Sequence, residues 1–356
     1  MIRADASESI GAGHVMRTLS LAEELVRHGA DVEFVCRKAT GHLAAVIEDR
    51  NIALSWLSPV RLDSTDSANI SNWLSVPWQQ DAMETAAVIE GRACDWLIVD
   101  NYGIEAKWHQ ALRPKVSRIM VIDDLADRKL DCDFLLDQTF QRSSEDYQVL
   151  VPDHCRMFLG SEFALLRNEF INSRKKALER RQNYREINRI FVSLGGGNTC
   201  RLNLQVLAAL ESCDGIDNMT VDLVVSSTAN DIELLQDSAQ SCKLKTNIIV
   251  DAKNMSELMF DADLAIGAAG STAWERCCMG LPTLMLVLAD NQRLIGEKLG
   301  RAGAVEIISR QNIGRDLCTA INRLNSSPGS YQSMWQSAAR ICEGDGVLRI
   351  AKELTR

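Results

Sequence analysis

Asp263-Leu-Ala-Ile-Gly267-Ala-Ala-Gly270-Ser-Thr-Ala-Trp-Glu275-Arg-Cys-Cys-Met-Gly280-Leu-Pro282-Thr-Leu-Met-Leu-Val-Leu288 is the stretch that decides the fold. Residues 263–266 form a short apolar run without polar alternation, the pattern of a strand buried on both faces. A glycine loop follows. Residues 272–279 then carry apolar side chains at helical spacing, with Ser271 or Thr272 in position to cap the helix. Gly280 and Pro282 stop that helix, and 283–288 is a second buried strand. Strand, glycine loop, helix, strand is a βαβ unit, which commits this part of the chain to a parallel sheet.

The same rhythm runs through the rest of the sequence. Apolar or β-branched runs at 31–36, 96–99, 118–122, 134–136, 190–194, 220–225, 247–250 and 305–308 alternate with helical-period stretches. The predicted helices lie at 15–28, 41–50, 83–90, 202–211, 231–240, 255–260 and 292–301. Such alternation means an α/β fold. At roughly 150 residues per domain, a chain of 356 residues divides in two. The rhythm breaks once, over 167–189, where charge is dense (Arg174, Lys175, Lys176, Glu179, Arg180, Arg181) and no strand occurs. That run reads as a solvated helix face and as the domain junction. The expected division is therefore 1–170, 187–330 and a helical tail over 331–356.

Composition excludes several functions. With 46% hydrophobic and 24% charged residues, the chain is an ordinary globular protein and not a disordered one. A net charge of −9 leaves no cationic footprint for a polynucleotide. The longest apolar run, 281–289, contains Pro282 and is too short to cross a bilayer. Arg3, Asp5 and Glu8 break any signal-peptide core. Eleven cysteines without a Cys-x-x-Cys pair read as reduced, buried thiols of a cytoplasmic protein. No histidine or acidic spacing suggests a metal site.

Chemistry is expected in the loops that follow strands. The first is Asp5-Ala-Ser-Glu-Ser-Ile-Gly11-Ala-Gly13-His14-Val-Met-Arg17, which leads from a very short strand into a helix. Position 16 is Met16 where a dinucleotide fingerprint needs glycine, and no Gly-Lys-Ser/Thr follows, so neither phosphate-binding motif is present. His14 is either a general base or a structural loop cap. Of the other histidines, His28 reads as a helix C-terminal residue, and His42 and His109 as residues of surface helices. A second loop, Gly195-Gly196-Gly197-Asn198, suits a phosphate. In the third loop, Ser271 or Thr272 can donate to phosphate. Glu275 either accepts ribose hydroxyls or closes a capping box. Asp100-Asn101-Tyr102-Gly103 and Asp290-Asn291-Gln292 end strands where ligands bind in open α/β sheets. Asp123 and Asp124 read as helix caps. Trp56, Trp73 and Trp78 read as packing.

These motifs resemble those of the UDP-2,4-diacetamido-2,4,6-trideoxy-β-L-altropyranose hydrolases of pseudaminic acid synthesis. The resemblance is carried by Arg3-x-Asp5-Ala-Ser through Ile10-Gly-x-Gly-His14-Val-x-Arg17. It continues in Val99-Asp-Asn-Tyr-Gly, Val121-Ile-Asp-Asp, Ser193-Leu-Gly-Gly, the Gly267 to Glu275 stretch, Gly280-Leu-Pro, Asn291-Gln and Asp345-Gly346. The Gly-Ser-Thr and Glu element is shared with GT-B glycosyltransferases. The resemblance implies two Rossmann-like domains whose parallel sheets face a central cleft, with UDP on the C-terminal one. It implies His14 as base, Glu275 on the ribose, and Ser271, Thr272, Gly195, Gly196 and Asn198 on the diphosphate. Asp5, Gly11, Gly13, Tyr102 and Asn291 fall at motif positions near the substrate. The implied partner is a small UDP-sugar, with no cofactor and a monomeric chain. The family usually has several more apolar residues before Arg3, so the expectation here is either a misassigned start or a sheet clipped at its edge. Three other functions share these loops: a GT-B transferase using a UDP-sugar donor, a UDP-sugar pyrophosphatase, and a non-catalytic nucleotide-sugar sensor.

Overall fold

The computed structural model describes residues 1–8, 10–59, 73–183, 186–195, 199–216, 218–227 and 229–356. Two compact units emerge: Met1–Leu165 with Asp345–Arg356, and Leu166–Gly344.

The first unit contains β1 (Ile2–Ala4), α1 (Gly13–Arg27), β2 (Glu33–Arg37), α2 (Ala44–Glu48), β3 (Ala53–Leu57), α3 (Trp78–Ile89), β4 (Trp96–Asp100), α4 (Ala106–Leu112), β5 (Arg118–Ile122), β6 (Phe134–Asp137) and β7 (Arg156–Leu159). Its seven strands are ordered β3-β2-β1-β4-β5-β6-β7, and all pair in parallel. β1 has only three residues, yet it sits between β2 and β4 and not at an edge. Its pairing is lengthened by Met1, whose ammonium donates to the Trp96 carbonyl at 2.7 Å and whose carbonyl accepts from Ile98. Alternate strand residues feed two cores. Ile2, Ile98, Met120 and Ile122 pack with Val15, Leu19 and Leu25 of α1, while Leu97, Val99, Ile119 and Val121 pack with Ile89, Trp108 and Leu112. This two-sided burial is why the strands read as continuous apolar runs.

The second unit contains α5 (Asn168–Gln182), β8 (Arg189–Ser193), α6 (Cys200–Glu211), β9 (Thr220–Val225), α7 (Ile232–Ser241), β10 (Lys245–Val250), α8 (Met255–Asp261), β11 (Leu264–Ala268), α9 (Thr272–Cys278), β12 (Thr283–Leu286), α10 (Arg293–Arg301), β13 (Val305–Ile307), α11 (Ile313–Ser326) and α12 (Pro328–Ile341). Its sheet is ordered β10-β9-β8-β11-β12-β13, again all parallel. The final helix, α13 (Gly346–Leu354), belongs to the first unit, so residues 331–356 are shared between the two units. Ile350 and Leu354 of α13 are buried in the first core, and each such side chain stabilises the unit by about 1.5–3 kcal/mol.

Three expectations change. The charged run is a solvated face only in part: Lys175, Lys176 and Glu179 are exposed, but its arginines turn to the protein. Arg181, 1% exposed, donates to the Met259 and Ala262 carbonyls at the end of α8. Arg174 donates to Cys278 at the end of α9, and to Ala339 and Cys342 around the end of α12. Unpaired C-terminal carbonyls carry the negative end of a helix dipole, so α5 acts as a clamp of cations on three helix ends. The thiols are not all free: Cys213 and Cys318, in one core with Cα atoms 5.1 Å apart, form a disulfide beside α6 and within α11. The other nine are free and nearly all buried. His109 is fully buried in α4, where it accepts from the Asp131 amide and burial pushes its pKa down to about 3. His42 precedes α2 and accepts from the Ala44 amide, while His28 does end α1 as its C-cap. Among the described residues, no helix is long and apolar enough to cross a membrane.

Candidate functional site

In the first unit, the chain runs from β1 outward through β2 to β3, then restarts at β4 on the other side of β1. The crevice past the ends of β1 and β4 is therefore the topological switch point, where open α/β sheets bind ligands. The loop after β1 is a tight turn. Gly11 donates to the Ser7 carbonyl at 2.8 Å with φ +80°, a conformation that favours glycine. Gly13 then opens α1 and sets His14 in its first turn.

His14 faces Asp100, the last residue of β4, with Nδ1 2.6 Å from Oδ1. Asp100 also receives Arg17 through two donors, Nε at 2.6 Å and Nη2 at 2.7 Å. Burial opposes the charge on Asp100, but Arg17 and His14 outweigh it and hold the carboxyl down to about 2. An ionised carboxylate only accepts, so His14 donates from Nδ1, and in the neutral ring this leaves the lone pair on Nε2. Arg17 extends to Asp124 at 2.5 Å, and the Tyr102 hydroxyl donates to the same Asp124 oxygen at 2.7 Å. Asp124 is thus an ion-pair partner and not a helix cap. Asp123 does bind local backbone, accepting from the Leu125 and Ala126 amides. Two aromatic rings confine the imidazole edge to face, Tyr102 at 4.6 Å and Trp73 at 5.2 Å between centroids.

Asp5 has a different place from its neighbours. Its Oδ1 accepts from the Arg37 amide and pairs with Arg3, and its Oδ2 accepts from Asn101. Both oxygens are used inside the protein, tying together the ends of β1, β2 and β4.

The second unit repeats the topology: β8 leads outward to β9 and β10, and β11 restarts on the other side of β8. Its switch point brings together the loops after β8 and β11. Gly195 lies exposed at φ +100° just past β8. Gly196 and Asn198 lie outside the described residues. After β11, Ser271 is exposed and Thr272 half-buried. Ser271 makes no side-chain cap, and Glu275 forms no capping box. Glu275 Oε1 instead accepts from Arg167 Nη2 at 3.1 Å, while Oε2 is buried with no partner among the described residues. Burial drives the Glu275 pKa up, and Arg167 offsets part of that. Asn291 is exposed in the turn after β12, on the strand next to β11.

Sequence reading placed His14, Gly11, Gly13 and Tyr102 around one crevice of the first unit, and Gly195, Ser271, Thr272, Glu275 and Asn291 at the strand ends of the second. It left Asp100 undecided, read Trp73 as packing, and did not single out Arg17, Arg167 or Arg276 for a role. The Arg17 signal was available: three residues after His14 in a helix, its side chain shares that face. Among the described residues, no group of three or more His, Cys, Asp or Glu could hold a metal ion.

Comparison with known proteins adds four findings. Residues 157–352 match the family model described as glycosyltransferase family 28 C-terminal domain. The chain is 26% identical over 306 residues to the UDP-2,4-diacetamido-2,4,6-trideoxy-β-L-altropyranose hydrolase of Campylobacter jejuni, covering 85% of this chain and 96% of that one. It is 24% identical over 205 residues to the spore coat polysaccharide biosynthesis protein SpsG of Bacillus subtilis, covering 57% and 59% respectively. Among solved structures, Acinetobacter baumannii MurG superposes with a TM-score of 0.69 at 14% identity, covering 99% of this chain and 98% of that one. At that identity the likeness speaks for the fold: two Rossmann-like domains of the GT-B class.

Proposed function

We infer the function from one premise: the chain belongs to the family of the glycosyltransferase family 28 C-terminal domain. We propose that it is a nucleotide-sugar hydrolase that releases UDP from UDP-2,4-diacetamido-2,4,6-trideoxy-β-L-altropyranose, giving the free sugar for pseudaminic acid synthesis. The observation that carries this reading is the 2.6 Å pair of His14 with an ionised, fully buried Asp100. The 26% identity to the Campylobacter jejuni hydrolase supports the choice of substrate.

Water attacks the anomeric carbon from the face opposite UDP, so the configuration inverts. His14 Nε2 takes the water proton as the new C–O bond forms, and Asp100 stabilises the resulting imidazolium. The bond from the anomeric carbon to the phosphate oxygen breaks, and its electron pair leaves with UDP. Donors from Ser271, Thr272 and the Gly195 backbone meet the developing charge, with Gly196 and Asn198 in the same role. Glu275 accepts the two ribose hydroxyls, and its partnerless Oε2 supports that assignment. Gly11 and Gly13 let the loop approach the sugar. Tyr102 offers its ring face, since its hydroxyl is engaged by Asp124, and Asn291 offers its amide. Asp5 contributes by holding the loop ends. The protein works as a cytoplasmic monomer in this proposal.

The test is turnover of that UDP-sugar in ¹⁸O-water without an acceptor, with mass spectrometry of both products. Label in the sugar is expected. Label in the nucleotide product means attack at phosphorus and a pyrophosphatase. Turnover only when an acceptor is supplied means a transferase, and binding without turnover means a sensor.

A further inference from the structure

Arg276, like Arg181, is an arginine of the second unit buried to 1% exposure. It lies in α9 behind the loop after β11. Buried guanidinium groups are ordinarily matched by a carboxylate, because an isolated charge is costly to remove from water. No carboxylate lies in ion-pair contact with Arg276 among the described residues, and its Nε is buried without a partner. Neighbouring Glu275 is committed to Arg167. Burial pulls the Arg276 pKa from 12.5 down to about 10, with Cys277 and Glu275 offsetting only part of that.

The sequence makes room for this cation. A side chain at Gly267 would place its Cβ 2.5 Å from Arg276 Nη1 and 2.6 Å from Cζ, so glycine in the middle of β11 is what admits the guanidinium. There Arg276 has two partners. Nη2 donates to the Ala268 carbonyl at 2.6 Å, and Nη1 donates to Thr272 Oγ1 at 3.0 Å. The second contact has a direction. With its oxygen already accepting from a cation, the half-buried Thr272 hydroxyl is left to donate its hydrogen elsewhere, and as a stronger donor.

We propose that Arg276 is a positioning residue for the diphosphate: it orients and polarises the Thr272 hydroxyl, and the anion supplies the counter-charge that the protein withholds. This rests on the reading of the loop after β11 as the diphosphate site. It goes beyond that reading in giving the site a buried, full positive charge. As UDP leaves, its extra negative charge is met by a cation that needs no reorganisation, so Arg276 acts on kcat as well as on affinity.

The experiment is calorimetric titration of the full-length chain with UDP and, separately, with uridine, for the parent and for Arg276→Met, Gly267→Ala and Thr272→Val. Thermal melts check that each variant is folded. Gly267→Ala keeps the cation but pushes it out of its seat, so it answers the question even if Arg276→Met fails to fold. Expected are UDP affinities about 10- to 100-fold weaker in Arg276→Met and Gly267→Ala, the range for one lost charge-assisted hydrogen bond, with uridine affinity changed less than about twofold. Thr272→Val should lose much of the same increment, and adding Arg276→Met to it should cost less than Arg276→Met alone. Equal weakening of UDP and uridine would make Arg276 a structural staple and overturn the proposal, as would unchanged UDP affinity. A parent that binds UDP no more tightly than uridine would overturn the diphosphate reading itself, whatever the variants do.

Discussion

Asp100→Asn is the perturbation that separates a catalytic dyad from a buried ion pair. Three donors converge on this fully buried carboxylate: His14 Nδ1 at 2.6 Å, Arg17 Nε at 2.6 Å and Arg17 Nη2 at 2.7 Å. An amide offers one oxygen in place of two. If that oxygen stays with Arg17 Nε, the amide NH₂ takes the place of Oδ1 and faces both His14 Nδ1 and the Arg17 Nη2–H. His14 can then pair only by accepting at Nδ1, which moves its proton to Nε2 and removes the base. If the oxygen faces His14, the NH₂ confronts the Arg17 Nε–H, and two donors meet. The first arrangement forfeits general-base catalysis, so kcat should fall by about 10²–10⁴-fold, while UDP inhibits as before. Stability falls too. Lowering the carboxyl from 3.8 to about 2 corresponds to stabilisation on the order of 2 kcal/mol. Because the folded-state value is depressed, this increment is complete above pH 4 and is lost as pH falls through 2. Asp100→Asn should therefore lose most stability at neutral pH, and the gap to the parent should narrow by pH 3. The assays are UDP release under saturating substrate and urea unfolding at pH 7 and pH 3. A variant within threefold of the parent kcat would refute the dyad. A stability gap of the same size at both pH values would refute the charge network.

Three further outcomes are expected. His14→Gln should lower kcat by about 10²–10⁴-fold with UDP affinity nearly unchanged, and a parent-like kcat would remove His14 from the chemistry. Glu275→Ala should raise KM more than it lowers kcat, since ribose contact is largely uniform binding; if UDP inhibits the variant as well as the parent, the ribose role is wrong. Gly346→Ala would put its Cβ 2.3 Å from the Ala164 carbonyl oxygen and 2.4 Å from the Phe163 carbonyl carbon. Those are backbone atoms that cannot swing aside, so α13 should loosen at a cost of about 1–3 kcal/mol. An unchanged thermal melt would mean that α13 does not dock there.

The two strands missed in the sequence, β3 and β7, share a physical cause; the helix α11 was missed as well. β3 and β7 are edge strands, and β3 has only Leu57 fully buried of its five residues. An edge strand lacks the two-sided burial that produces a continuous apolar run. The arginines of the 167–189 run were misread because cations that bind helix-end carbonyls look, in sequence, like cations that bind water, as the exposed Lys175 and Lys176 do. Arg181 and Arg174 differ from exposed arginines only through what α8, α9 and α12 bring to them. Asp5 shows the converse: it sits in a motif that suggests ligand contact, yet its oxygens are taken up by Arg3, Arg37 and Asn101.

What the sequence determined by itself was local. The α/β rhythm, the glycine loops and His14 at a helix start follow from side-chain periodicity and from backbone freedom at glycine, which act over a few residues. What the tertiary structure decided was which charges meet. His14 and Asp100 are 86 positions apart and join only because β4 pairs beside β1. Glu275 and Arg167 are 108 apart and join only through the packing of α5 on α9. Arg276 is a helical residue like any other until Gly267 in the neighbouring strand leaves it a seat. Burial and ion pairing depend on distances through space, which strand order and helix packing together set.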